Sequence, residues 1–186
     1  MENVRLDHAQ IRVLAHPLRS RLLGSLRLGG PATATELAHQ LGTNTGATSY
    51  HLRQLAEVGL VVEQVREDTG RRRFWRAVHD MSSWRRGQYD DDPDAAAAAD
   101  WLAANQLSRF TEHAEAWRRA EPQEPAEWRD ATQLSDYFLD LDAAQTRALM
   151  AELDAVVERY RQVRPADGAR QVLIYLAAVP NLEARR

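Results

Sequence analysis

The 186-residue chain has 24 basic and 27 acidic side chains, a formal net charge of −3, and 44% apolar residues, enough for one ordinary domain or two small ones. It has no cysteine, which excludes disulfides, thiolate metal sites, zinc ribbons and cysteine nucleophiles. Every basic residue is arginine, and the charge is divided: residues 1–87 hold 13 Arg against 8 Asp plus Glu, a formal +5, while residues 88–186 hold 11 against 19, a formal −8.

A basic half suits a polyanion, and an acidic half would oppose one if it also touched it. "MENVRLDHAQ" lacks a basic-then-apolar leader, and no apolar run approaches the roughly 18 to 20 residues needed to span a bilayer. The expected location is cytoplasmic, with no membrane partner.

In chain order, Leu14, Leu18, Leu22, Leu23 and Leu26 form an apolar helical stripe, interrupted near Pro17, which suits a first helical turn. "GGP" ends it. Thr33 and Glu36 have the spacing of a capping box and predict a helix through Ala38 and Leu41, closed by Gly42. "GTNT" is a turn in which Thr43 or Asn44 can cap the next helix. Along that helix Thr48, Leu52, Leu55 and Val58 fall on one side, and Gly46, Ser49, Tyr50, Arg53 and Glu57 on the other. Gly59 closes it. "LVVEQVRE", "DTG" and "RRRFWRAV" predict a hairpin in which Val61 and Val65, then Phe74 and Val78, alternate with polar positions and with Trp75.

"GQYDDDPD", residues 87–94, is polar, acidic and interrupted by proline, so it predicts a linker, with Asp90 to Asp92 solvated. A helix of about 25 residues follows, with a seam of Ala103, Leu107, Phe110, Ala114 and Trp117 at steps of 4, 3, 4, 3, the alternation of a helix that pairs along its length. "EPQEP" stops it. The last stretch predicts strand, helix, strand: "LSDYFLDL", then a helix capped by Asp142 and Gln145 with a stripe of Leu149, Leu153, Val156, Val157 and Tyr160, then "RQVLIYLAAV". The expected fold is mainly α. A winged helix-turn-helix occupies residues 1–87, a linker and dimerisation helix 88–120, and a small C-terminal α+β effector or dimer-supporting segment 121–186.

A helix held by its apolar side can enter the major groove of double-stranded DNA with its polar side. Thr43, Asn44, Thr45, Gly46, Ser49, Tyr50 and Arg53 are the candidate contacts there, and Arg71, Arg72 and Arg73 at the hairpin tip are candidates for phosphates or the neighbouring minor groove. Bland readings stand beside these: Tyr50 can pack against the wing, the arginine run can be a solvated tip, the seam through Leu107 and Trp117 can pack inside one subunit, and His51, a candidate base reader, lies on the Leu55 side and reads rather as a packed histidine. Trp101, Trp128, Tyr137, Phe138, Tyr160 and Tyr175 either line an organic-ligand cavity or are ordinary core.

"LAHPLRSRLLGSL", "ATELAHQLGTNTGATSYHLRQLAEVGLV" and "DTGRRRFWRAV" resemble, in order and spacing, the winged-helix domain of the ArsR-type bacterial transcriptional regulators over about residues 8–80. The resemblance implies a homodimeric repressor, less often an activator, on an imperfect inverted repeat, dimerising through the helix after the wing. The metal sensors of that family carry a cysteine pair where this chain has "ELAHQLG", and on the dimerisation helix it offers only His113 with Glu112 and Glu115. No metal site and no cofactor are expected. A small-molecule effector of unidentified kind is a further candidate partner. There is no Gly-rich phosphate loop, HExxH or GxSxG, so no enzymatic role is expected. The competing reading is a winged helix that binds protein without sequence-specific DNA binding.

Overall fold

The computed structural model describes residues 3–65 and 72–182. Its helices and strands run β1 (Asn3–Arg5), α1 (His8–Leu14), α2 (Pro17–Gly29), β2 (Ala32–Thr33), α3 (Ala34–Leu41), α4 (Thr45–Glu57), β3 (Val61–Val65), β4 (Arg73–Ala77), β5 (Met81–Ser83), α5 (Pro93–Ala120), α6 (Ala126–Ala131) and α7 (Ala143–Arg161). The chain is mainly helical with a few short strands and carries an N-terminal winged helix-turn-helix. It divides into two compact units, Met1–Glu112 and His113–Arg186.

Local signals set most helix ends in the first unit. Asp7 and Gln10 form a reciprocal capping box on α1, and Thr33 and Glu36 form another on α3. Pro17 starts α2 behind an N-cap supplied by His16, so the leucine stripe is carried by two helices. Gly42 closes α3 at φ 65°, a left-handed conformation that a side chain would oppose. The core joins Ile11 and Leu14 of α1, Leu22, Leu23 and Leu26 of α2, Leu37 of α3, and Leu52 and Leu55 of α4. Each such leucine contributes about 1.5 to 3 kcal/mol by leaving water.

Two strand contacts escape the sequence pattern. β2 pairs antiparallel with β4, making a three-stranded sheet of order β2-β4-β3, and β1 pairs parallel with β5. Within β4 the expected alternation is shifted. Phe74 and Trp75 are both buried, on opposite faces of the strand, and Val78 lies beyond it at 38% exposure.

The linker expected over 87–94 is instead packed structure. Arg86–Tyr89 form a 3-10 turn, the Tyr89 ring is fully buried, and its hydroxyl donates to the Leu6 carbonyl at 2.7 Å. Gln88 donates to the same oxygen. Asp92 is an N-cap, not a solvated linker residue: its carboxylate accepts from the Ala95 amide at 3.0 Å and pairs with Arg12. The alanine run then enters the core through Ala95, Ala96, Ala98, Ala99 and Leu102.

In the second unit the capping box of Asp142 and Gln145 opens α7 as expected. The α+β reading of this unit does not hold among the described residues. Neither 134–141 nor 170–179 belongs to a strand ladder, and the regular elements are helices. β-rich composition marks a segment able to pair but does not supply the neighbour whose N–H and C=O groups complete it.

Candidate nucleic-acid interface

The helix-turn-helix is built by α3, the turn at 42–44 and α4. Asn44 sits at the N-cap of α4 with its side-chain oxygen accepting from the Ala47 amide at 2.8 Å, which leaves its amide nitrogen as the outward donor. A Cβ placed on Gly46 would come within 3.3 Å of that oxygen, so glycine here also leaves room for the cap. Thr43 donates its amide to the Ala38 carbonyl and is half-buried in the turn. Thr48 is fully buried and donates its hydroxyl to the Asn44 carbonyl at 3.0 Å.

α4 is held on several sides. Leu52 and Leu55 fix its inner face, and the Gln10 amide of α1 donates to the Val58 carbonyl just beyond its end, at 3.1 Å. The Arg21 guanidinium of α2 donates to Leu41, the last residue of α3. The outer face is free of such ties. Thr45, Gly46, Tyr50 and Arg53 are exposed and Ser49 is half-buried. Arg53 lies back along the helix, its Nε donating to the Ser49 carbonyl at 3.1 Å.

The wing approaches this face. Ser49 and Arg53 of α4 line one shallow groove with Glu63 and Arg73 of the hairpin, and Arg72 and Arg73 line a second beside Thr33, Thr35 and Glu36 at the start of α3. Arg73 pairs with Glu63 at 3.3 Å, so its charge is partly answered from the opposite strand. Glu36 is engaged by the Thr33 amide and hydroxyl at 2.7 and 2.9 Å, and these bonds hold its carboxyl below the usual range. Thr45, Gly46, Ser49, Tyr50 and Arg53 thus share one face that Arg73 flanks. Arg71, with the tip residues Asp68, Thr69 and Gly70, lies outside the described residues.

Sequence reasoning overlooked a cluster beneath α4. The rings of His16 and His51 stack with centroids 4.4 Å apart, and Tyr50 meets His51 edge-on at 5.1 Å. His16 Nδ1 accepts the Leu18 amide at 3.1 Å, a bond that requires this nitrogen to be unprotonated. Burial first, and then the charge of Arg19, pushes the pKa of His16 below its usual value. Burial, His16 and Arg19 do the same to His51. His51 is therefore a packed residue, as its place on the Leu55 side of the helix implies. The available signal was a histidine directly before a helix-starting proline.

The seam that the sequence suggests for dimerisation falls on α5, a continuous helix from Pro93 to Ala120. Ala103 and Leu107 are exposed, Leu107 at 63%, while Phe110, Ala114 and Trp117 are half-buried. His113, the one histidine of this helix, meets the Tyr175 hydroxyl at 2.8 Å. Among the described residues no group of three or more His, Asp or Glu side chains is placed to hold a metal ion. The aromatics suggested for a cavity do not behave as a set: Tyr137, Phe138 and Tyr160 are more than 70% exposed, and Trp128 lies under the Arg170 guanidinium at 5.0 Å.

Residues 14–64 match a family of helix-turn-helix domains, in agreement with α2 through β3 as built. The N-terminal unit is thereby defined as a winged helix-turn-helix domain. No curated protein sequence matches the chain. Among solved structures, the chain resembles a possible transcriptional regulator for arsenical resistance at 29% identity, over 58% of this chain and 96% of that one, with a TM-score of 0.34. It resembles a MarR family transcriptional regulator from Silicibacter pomeroyi at 18% identity, over 79% and 73%, with a TM-score of 0.36. A third is the adhesin competence repressor of Streptococcus pyogenes, at 10% identity over 78% and 81%, TM-score 0.34.

Proposed function

We propose that this protein is a sequence-specific DNA-binding transcriptional regulator of ArsR-like type, bacterial and cytoplasmic, acting as a homodimeric repressor on an inverted-repeat operator and without cysteine-based metal sensing. The observation that carries the reading is the outer face of α4, which joins short hydrogen-bonding side chains to Arg53 and abuts Arg73 of the wing. Ser49, Thr45 and Tyr50 are suited to base edges or phosphates, Arg53 to guanine O6/N7 or a phosphate, and Arg72 and Arg73 to the backbone. Gly46 lets the duplex come close to the helix start.

One winged helix reads few base pairs. Two, related by a twofold axis, read half-sites about one helical turn apart, and the seam on α5 is the proposed means of holding them together. An effector would act by binding one dimer geometry better than the other. The competing protein-interaction reading is separated by titrating the purified protein with duplex DNA at about 150 mM salt, in the range where phosphate contacts alone give weak, non-selective binding. Sequence-preferring binding supports the regulator, and its absence on every genomic duplex favours a protein partner.

A further inference from the structure

None of the described residues of the His113–Arg186 unit is buried, although its sequence is as apolar as a core requires. Fifteen large apolar side chains between residues 134 and 182 are exposed, among them Leu134 at 81%, Phe138 at 81%, Ile174 at 59% and Val179 at 84%. At about 100 Å² apiece, roughly half of what a large aromatic side chain buries, they offer more than the ~800 Å² per partner of an ordinary stable interface. A surface of this extent on a water-exposed chain calls for a cover.

The charges along α7 indicate which cover. The segment leading into this helix carries Asp136, Asp140 and Asp142 and no arginine, whereas residues 159–170, its last turn and the chain just beyond, carry four Arg against one Asp. The 19 residues of α7 hold the two ends about 28 Å apart, at 1.5 Å per residue. Within the helix itself the acidic and basic ends stay separated by this length. Two copies with α7 antiparallel about a twofold axis bring acidic end to basic end twice, the self-complementary arrangement of an isologous interface.

We infer that residues 134–141 form an arm exchanged between two copies of this chain, crossing onto the partner's 170–179 run and the stripe of its α7. The 170–179 run is already seated on its own chain, through Arg170 to Glu124 at 2.6 Å and Tyr175 to His113 at 2.8 Å, and so forms the fixed receiving edge. The arm has no such tie, and Leu134, Tyr137 and Phe138 stand more than 75% exposed on it. Pairing would give both β-rich segments the ladder partner that each lacks within the chain. This rests on the homodimer of the proposed function and extends its interface beyond α5.

The absence of native cysteine makes disulfide trapping a clean test. Two full-length single-cysteine chains, Leu139→Cys and Ile174→Cys, differing in mass by a tag, are mixed, exchanged and oxidised mildly, with sedimentation on the same samples. The expected product is the disulfide-linked pair of unlike chains, in at least tenfold excess over like pairs. The doubly substituted chain should run as a linked dimer. An intrachain disulfide in that double variant, or a dimeric protein with no link between unlike chains, overturns the arm exchange while leaving dimeric DNA binding intact. A monomer by sedimentation overturns the homodimer and the exchange together. As a second variant, Asp140→Arg should weaken dimerisation at least tenfold and Arg164→Asp should restore it, and a failure to rescue in a protein of unchanged helix content contradicts the antiparallel charge pairing.

Discussion

At the scale of single residues, Arg53 and the pair His16 and His51 carry the sharpest expectations. Arg53 sits mid-helix on the exposed face, beside the groove shared with Arg73. Replacing it by alanine should cost about 1 to 3 kcal/mol of operator affinity if it reads a guanine, measured as a shift in the binding midpoint of a dimeric, folded variant. Arg72→Ala should instead lower the slope of log affinity against log salt by about one unit, as expected for one phosphate.

The two histidines titrate in the opposite sense from a salt-bridged pair. Both have a folded-state pKa depressed below the unfolded value of 6.5, so the unfolded chain binds protons first on acidification. The stability they contribute is complete above about pH 6.5 and falls as pH drops through that value towards the folded pKa values. Thermal unfolding should therefore show a falling midpoint below about pH 6.5 that is shallower in His51→Gln, and equal slopes in the two proteins would separate the pair from the acid response.

At the scale of elements, the helices were legible where a short-range signal marks an end. The Thr33 and Glu36 spacing is a capping box in both readings, Asp142 with Gln145 is another, and Gly42 ends α3 as glycine should. Thr33→Ala should destabilise the first unit by about 1 kcal/mol, read from denaturant unfolding. The misses share a different cause, in that their partners lie far along the chain. β1 is three residues long and pairs with β5 nearly eighty residues later, a contact with no local pattern. Tyr89 sits among glycine and aspartates that read as linker, yet its hydrogen bond to Leu6 ties the start of α5 to the N-terminal strand region. Tyr89→Phe keeps the ring buried and strands the Leu6 carbonyl with one donor fewer. A loss of about 1 kcal/mol or a little more is expected, and a neutral result would mean that Gln88 suffices.

At the scale of the whole molecule, the helix-turn-helix that carries the candidate site was more legible than the C-terminal fold. The candidate DNA contacts were named from one helix wheel and one turn, because recognition by an amphipathic helix is written at a spacing of three and four residues. Residues 121–186 were not readable in that way. Their β-rich segments advertise pairing but not a partner, and among the described residues of this stretch no strand ladder forms. The same apolar surplus, together with the seam through Leu107, is what makes the account require two copies. Leu107→Asp, on the exposed part of α5, should shift the protein towards monomer in sedimentation and weaken operator binding with it.

The central claim is that the outer face of α4 reads DNA, and fluorescence polarisation tests it most directly. Purified protein is titrated into labelled duplex from its own promoter region at about 150 mM salt, a concentration that discriminates against non-specific binding, with unrelated duplex as competitor. The account predicts binding that survives the competitor, saturates at two subunits per site and is lost in Arg53→Ala. Weak binding removed equally by any duplex, from every upstream fragment tried, would contradict it.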